Sequence, residues 1–295
     1  MKINVYYWNN GVGVVNDVLL LSSLLSTLFR DIIRYDLSTT NDYRKSDIGI
    51  YIQNVDNNTL QYNKKNIFIA NEEWITSYEL NLFNNFECII TKSTYAKSIL
   101  DPYHKNVINT GFFSLDRHFF PKNTNEILHF KGKSIQKNTE LVNGLNHVKI
   151  LDSNTNYLSD NDVTYNLNNH DIHICCSLYE AWGHYLWEAM SCGKLVICSE
   201  IPVFKEYLDP ELVKFIPIKD VCSHNINYEF LNTNDYKLRK GYIVDEVKVK
   251  ELLNNKEELL EFQKKNCDNI RQHFLDVNTT NKQKFLNTIV YICGL

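Results

Sequence analysis

The sequence predicts an α/β fold of two doubly wound domains, and three observations carry that prediction. At 295 residues the chain exceeds one average domain. Short β-branched or aromatic runs alternate with helical patterns in both halves, which argues βαβ units and parallel sheets. Over residues 171–193 an apolar run feeds a Gly-bearing loop and then a helix, the order in which open α/β sheets build ligand sites.

The first half reads as strand Lys2–Tyr7, helix Asn16–Arg30, strands Ile32–Tyr35, Ile48–Gln53 and Asn66–Ala70, helix Glu72–Phe83, strand Glu87–Thr91, helix Ser93–Leu100 and strand Asn106–Thr110. Asn71 stands as the N-cap of the second helix, with Glu72 and Glu73 complementing its dipole. Phe119–Glu126 sets a Pro among polar residues and suits a linker. The second half reads as strand Ile127–Lys131, helix Asn138–Leu145, strand Val148–Asp152, a short strand near Val163, strand Asp171–Cys176, helix His184–Ser191, strand Lys194–Cys198, helix Phe204–Leu208 and strand Val213–Ile216. Val244–Phe274 is polar-faced and helical, and Thr280–Cys293 reads as a final amphipathic helix.

Composition narrows the function. A hydrophobic content of 44% is that of a globular chain, and a net charge of -4 gives no general reason to expect nucleic acid as a partner. The eight cysteines lack Cys-x-x-Cys spacing and the nine histidines lack metal-ligand spacing, so no metal is expected. The first residues start a strand without a leader pattern, and Val12–Leu28 is broken by Asn16, Asp17 and serines, so it reads as a helix rather than a membrane span. A cytoplasmic protein without a transmembrane segment is the expectation, with peripheral membrane contact left open.

Chemistry concentrates in Ser177–Gly193. A strand, a tight loop and a helix start present amides without intrahelical partners together with the positive end of the helix dipole, which attracts phosphate. Gly183 allows close approach to the backbone, while Glu180 and Glu188 can only accept hydrogen bonds and so suit sugar or ribose hydroxyls. The rings of Trp182, Tyr185 and Trp187 read as core, since aromatics bury much apolar area. Lys133 and Lys137, after the first strand of the second half, supply ammonium groups suited to a diphosphate. Gly11 and Gly13 form a weak Gly-rich loop after the first strand, without the third Gly that a dinucleotide fingerprint asks for.

The segment Ser177–Glu206 resembles the donor-site motif of retaining family-4 glycosyltransferases, the glycosyl transferases group 1, which have the GT-B fold. The matching residues are Ser177, Glu180, Gly183, Glu188, Ala189, Met190, Gly193, the strand Lys194–Cys198 and Glu206. The resemblance implies two Rossmann-like domains facing a cleft: an acceptor-side domain over 1–122, completed by the helix 275–295, and a donor-binding domain over 123–274. It implies that Glu188 holds the ribose, that Glu180 faces the transferred sugar, and that the amides of Trp182, Gly183, His184 and Tyr185 lie beside sugar and phosphate. Lys133 and Lys137 take the places of the family's basic pair, with Asn138 where Gly is usual. Gly11 and Gly13 would approach donor phosphate, and Asn71, Glu72 and Glu73 would meet the acceptor.

The activity so implied is transfer of a hexose from a nucleoside diphosphate sugar, with retained anomeric configuration, to a glycan, lipid or protein acceptor. No cofactor is implied. Departures from the family pattern, Trp182 for Phe and His184-Tyr185 for smaller residues, bear on the donor sugar. A nucleotide-sugar epimerase of the same architecture and a GT-B protein that binds without turnover are the rival readings.

Overall fold

The structure is a computed structural model and describes residues 1–10, 13–119, 124–132, 134–145, 147–152, 158–223 and 238–295. It divides into two compact units. The first comprises Met1–Phe113, Leu238–Arg239 and Thr279–Leu295, and the second comprises Ser114–Ser223 and Lys240–Asn278.

In the first unit, β1 (Lys2–Tyr7), α1 (Gly13–Leu25), β2 (Asp31–Asp36), β3 (Ser46–Ile52), β4 (Asn63–Ile69), α2 (Ser77–Leu82), β5 (Cys88–Thr91), α3 (Thr94–Leu100) and β6 (Val107–Asn109) follow one another. The six strands form one parallel sheet in the order β2-β1-β3-β4-β5-β6. Strands buried on both faces need near-continuous apolar runs, and β3 and β5 are of that kind. Register places Tyr35, Tyr6 and Tyr51 side by side across β2, β1 and β3, with ring centroids 5.4 and 4.6 Å apart. Burial pushes the Tyr6 phenol up to about 12, and its hydroxyl is satisfied by Asn4 and Asn63. Asp17 of α1 and Lys92, just after β5, form a fully buried ion pair at 2.7 Å, with the ammonium 4.0 Å from the Phe112 ring centroid.

The second unit contains β7 (Ile127–Lys131), β8 (Val148–Asp152), α4 (Asp160–Asn169), β9 (Ile172–Cys175), α5 (His184–Ser191), β10 (Leu195–Ser199), α6 (Pro202–Tyr207), β11 (Lys214–Ile216), β12 (Ile218–Ser223), β13 (Lys240–Val244) and α7 (Glu246–Asn254). Its five-stranded parallel sheet runs β11-β10-β9-β7-β8, and β12 and β13 pair antiparallel beside it in the chain order. A helix of 38 residues, α8 (Lys256–Cys293), then supplies residues to both units.

Five sequence expectations are corrected. The helix expected over Glu72–Phe83 is a single 3-10 turn, Glu72–Trp74, followed by α2, because Thr76 caps α2 and Glu79 returns a bond to the Thr76 amide. Asn71 makes no side-chain cap there; its amide donates to Gln53 Oε1 at 2.8 Å. The helix expected over Asn138–Leu145 is two 3-10 turns, Ile135–Lys137 and Thr139–Leu141, split by Asn138 in the left-handed conformation at φ +52°. The strand expected near Val163 is α4, nucleated by the reciprocal Ser159–Asp162 capping box. The expected stretch Val244–Phe274 breaks at Asn255 into α7 and α8, and α8 runs on through Thr280–Cys293 with no Gly or Pro to stop it; β12 and β13 have no counterpart in the sequence reading.

Two histidines of the second unit make its stability pH-dependent. Burial pushes His129 down to about 4 and His173 down to about 3. Both are therefore neutral at pH 7, and His129 Nδ1 donates to the Ile174 carbonyl at 3.0 Å while Nε2 accepts from Thr139 Oγ1 at 2.9 Å. The unfolded chain takes up these protons near pH 6.5, so stability falls as pH drops below 6.5 and this loss levels off only below the folded values. Urea unfolding at pH 4.5 should show roughly 2 kcal/mol or more less stability than at pH 7, at about 1.4 kcal/mol per unit. An unchanged urea midpoint would contradict the assignment.

Candidate functional site

The two sheets share a topological rule that selects where a ligand goes. In the second sheet the chain steps from β7 out to β8 and then returns to the other side of β7 with β9, so the strand order reverses between β7 and β9. In open α/β sheets ligands bind beyond the carboxyl ends of the strands at that reversal. The loops leaving those ends are Gly132–Lys137 after β7 and Cys176–Gly183 after β9, the two stretches that the sequence singles out. The corresponding reversal in the first sheet lies between β1 and β3.

The two loops are tied together. Leu178 N donates to Gln136 O at 2.8 Å, and Gln136 Nε2 donates to Tyr179 O at 3.4 Å. From the far side, Tyr242 N of β13 donates to Leu178 O at 2.8 Å, so the unforeseen antiparallel pair braces the loop. Asn138, where the family pattern has Gly, has a left-handed backbone at φ +52°, a region that Asn visits more readily than most residues other than Gly.

Lys137 and Glu180 meet at this junction. The ammonium lies 2.5 Å from Glu180 Oε1, which also accepts from Ser177 Oγ at 2.8 Å. The Glu180 side chain is 8% exposed and Lys137 23%, so the pair is held at the edge of the interior. Lys133 and Gly11 lie outside the described residues. Gly13 opens α1, with Asn10 Oδ1 accepting from the next amide, Val14 N, at 3.1 Å.

Gly183 occupies the N-cap of α5 at φ +81°, and a Cβ built there would stand 2.8 Å from Phe204 Cε1. The requirement for Gly is thus both conformational and steric. Leu186 N makes the first intrahelical bond, to Gly183 O at 3.0 Å, so the amides of His184 and Tyr185 precede it at the positive end of the helix. His184 Nδ1 is 2.8 Å from Ser114 Oγ, which accepts from Trp182 Nε1 at 3.0 Å. Trp182 and Trp187 are buried and stacked with centroids 4.9 Å apart. Their rings act as core, as the sequence suggests. Tyr185 donates its hydroxyl to Leu128 O at 2.9 Å, anchoring the first turn of α5 to β7.

Glu188 sits one turn into α5 and is buried. Its Oε2 is 2.9 Å from Arg117 Nε, an ion pair whose N–H is not aimed along the hydrogen-bond line. Its buried Oε1 has no hydrogen-bond partner among the described residues. Burial pushes the Glu188 carboxyl up, and Arg117 followed by His184 pulls it back. Burial lowers the Arg117 value, but Glu188 and Asp160 outweigh it and the net direction is up. At the end of α5, Gly193 is left-handed at φ +69°, and a Cβ would meet the Cys267 carbonyl of α8 at 2.9 Å.

Asn71, Glu72 and Glu73 follow β4 in the first unit and are buried. Glu73 O accepts from Arg239 Nε at 2.8 Å, and the Arg239 guanidinium lies 4.4 Å from the Trp74 ring centroid. Arg117 and Ser114 are the residues that sequence reasoning misses. Both lie outside any motif, and their partners are brought to them only by the fold. Among the described residues no group of His, Cys, Asp and Glu could hold a metal ion, and no helix is long and apolar enough to cross a membrane.

The second unit is thus a parallel α/β sheet that gathers helix-start amides, a basic side chain and two acceptor carboxylates near its strand reversal. Comparison makes the class more specific. Residues 125–217 match the model of the glycosyl transferases group 1, the segment that carries the motif. Across the chain the fold is GT-B, with two Rossmann-like units. The sucrose-phosphate synthase of Thermosynechococcus elongatus superposes with a TM-score of 0.62 at 9% identity, over 99% of this chain and 100% of that one. HepE of Anabaena in complex with UDP-glucose superposes with a TM-score of 0.63 at 11% identity, over 98% and 99%. TarM superposes with a TM-score of 0.56 at 14% identity, over 84% of this chain and 55% of that one. A search of curated proteins by sequence finds no match.

Proposed function

We propose that the protein is a glycosyltransferase that moves a hexose from a nucleoside diphosphate sugar to a hydroxyl acceptor with retention of anomeric configuration. The observation that carries this reading is the Lys137–Glu180 pair at the strand reversal of the second sheet, within the segment that matches the glycosyl transferases group 1. HepE, of the same fold, has been solved with UDP-glucose, which makes a UDP-sugar the donor to try first.

Glu188 Oε1 accepts from a ribose hydroxyl in this reading, and Glu180 faces the transferred sugar. The diphosphate lies at the N-terminus of α5 by Gly183, with Lys137 beside it; Lys133, outside the described residues, is the second cation of the proposal. Lys137 shares its charge with Glu180, and the helix end adds to the positive field there. In the reaction the bond from the anomeric carbon to the diphosphate oxygen breaks, and the acceptor oxygen bonds to that carbon on the same face. The acceptor proton passes to the departing diphosphate oxygen. The charge that develops on the diphosphate meets these fixed donors, which stabilises the transition state more than the ground state. No metal enters the step as proposed.

As acceptor contacts we propose Asn71, Glu72 and Glu73 at the carboxyl end of β4. A glycan, lipid or protein hydroxyl would serve as acceptor. A cytoplasmic location belongs to the same proposal, and the eight free thiols suit a reducing compartment.

The test is incubation with a panel of nucleoside diphosphate hexoses, with and without simple sugar acceptors, followed by assay of free nucleoside diphosphate and NMR of the sugar product. Release of nucleoside diphosphate and a product with the donor's anomeric configuration are expected. An inverted product would sink the retaining mechanism, and conversion of the donor to an isomeric donor would mark an epimerase.

A further inference from the structure

Glu188 is held by a residue that no part of the donor motif contains. Arg117 lies before the second sheet in sequence, yet its guanidinium is buried against α5, with Nε 2.9 Å from Glu188 Oε2. Four other contacts fix it. Its backbone amide donates to Ser191 Oγ at 3.0 Å, and its carbonyl accepts from Asn168 Nδ2 at 2.7 Å. Its Nη1 donates to Thr164 Oγ1 at 2.7 Å and lies 2.8 Å from Asp160 Oδ1. The arginine is thus clamped between α4 and α5, and it engages one oxygen of the carboxylate while the other, buried Oε1 has no partner among the described residues.

That asymmetry has a chemical meaning. A buried carboxylate without a counter-charge takes a proton, and a protonated Glu188 would offer a hydroxyl where an acceptor is wanted. Arg117 supplies the counter-charge from the side, so the acceptor capacity of Oε1 survives burial. We propose that Arg117 is a positioning residue for the donor site: it keeps Glu188 ionised and turned so that Oε1 receives the ribose hydroxyls of a nucleoside diphosphate. The inference rests on the donor-site reading given above. The planar guanidinium matters as well as the charge, since it reaches Glu188 with Nε and Asp160 and Thr164 with Nη1, and a lysine ammonium has no such fork.

The experiment measures the affinities of UDP and 2′,3′-dideoxyuridine diphosphate by calorimetry on the wild type, Arg117→Lys and Arg117→Met. The wild type should prefer UDP by about tenfold or more, the value of one good hydrogen bond to a charged group. Arg117→Met should bring the two ligands within about twofold by weakening UDP, while the dideoxy compound keeps its affinity, because only the ribose contact is lost. Arg117→Lys should restore part of the preference. Equal weakening of both ligands in Arg117→Met would show a merely structural role and overturn the proposal, as would an unchanged preference. Should Arg117→Met fail to fold, Arg117→Lys decides: a preference equal to that of the wild type overturns the proposal. A wild type that binds both ligands equally, or neither, defeats the donor-site reading itself, a result distinct from failure of the Arg117 role.

Discussion

Replacing Lys137 with alanine should lower turnover of a nucleoside diphosphate sugar by about 10²–10³-fold, the usual effect of removing one preorganised donor from a developing oxyanion. Two consequences of the substitution act in the same direction. The leaving diphosphate loses a cation at the end of β7, and Glu180 loses the ammonium 2.5 Å from its Oε1 while its side chain is only 8% exposed. The buried carboxylate is then left without its counter-charge beside the diphosphate, so the effect on catalysis exceeds what the lost charge alone would give. The double variant Lys137→Ala with Glu180→Gln removes both charges and separates the two contributions: it should fold better than Lys137→Ala and remain as inactive. Steady-state kinetics on both variants beside their urea unfolding curves measure this, and a Lys137→Ala protein with turnover near that of the wild type would remove Lys137 from the catalytic machinery.

Gly183→Ala should cost both stability and donor binding. The left-handed backbone at φ +81° penalises any L side chain by roughly 1–2 kcal/mol. The new methyl also meets Phe204 Cε1 at 2.8 Å and Cζ at 2.9 Å, and Phe204 is buried and cannot swing aside. Overpacking of that kind costs about 1–3 kcal/mol more, for a total of about 2–5 kcal/mol. Relief by moving the backbone would displace the first turn of α5, where the amides of His184 and Tyr185 stand, and so weaken diphosphate binding. Gly193→Ala, with the Cys267 carbonyl 2.9 Å away, should destabilise the fold through α8 without that selective loss of donor affinity. Urea unfolding and calorimetry on the two variants test the contrast; equal donor affinity in Gly183→Ala and the wild type would contradict it.

Much of the candidate site in the second unit is legible in the sequence because its signals are local. The strand Ile127–Lys131 is a β-propensity run and the helix His184–Ser191 lies inside the motif Ser177–Glu206, and the structure has the same bounds for both elements. Capping boxes are equally local, and Thr76–Glu79 and Ser159–Asp162 carry the pattern that splits one expected helix and creates another. The competing signals there, apolar content in 72–83 and β-branched residues near Val163, are weaker than the caps.

What the sequence does not show is tertiary. Nothing in the residues around Arg117 announces a partner at Glu188, since Asp160, Thr164, Ser191 and Glu188 reach it only after α4 and α5 pack. The pairing of β12 with β13, and its bond from Tyr242 to Leu178, likewise depend on strands with residues 224–239 between them. The Asn71 side chain turns from the expected cap to Gln53 because β3 and β4 are neighbours in the sheet.

The central claim is that the junction of Gly132–Lys137 with Cys176–Gly183 binds a nucleoside diphosphate sugar and helps to expel its diphosphate. The most direct measurement is release of UDP from UDP-hexoses by the wild type and by Lys137→Ala, side by side at matched concentration of folded protein. The account predicts steady release by the wild type and a rate about 10²–10³-fold lower for the variant. Release at equal rates by the two proteins, or no release by a well-folded wild type from any nucleoside diphosphate sugar, would contradict it.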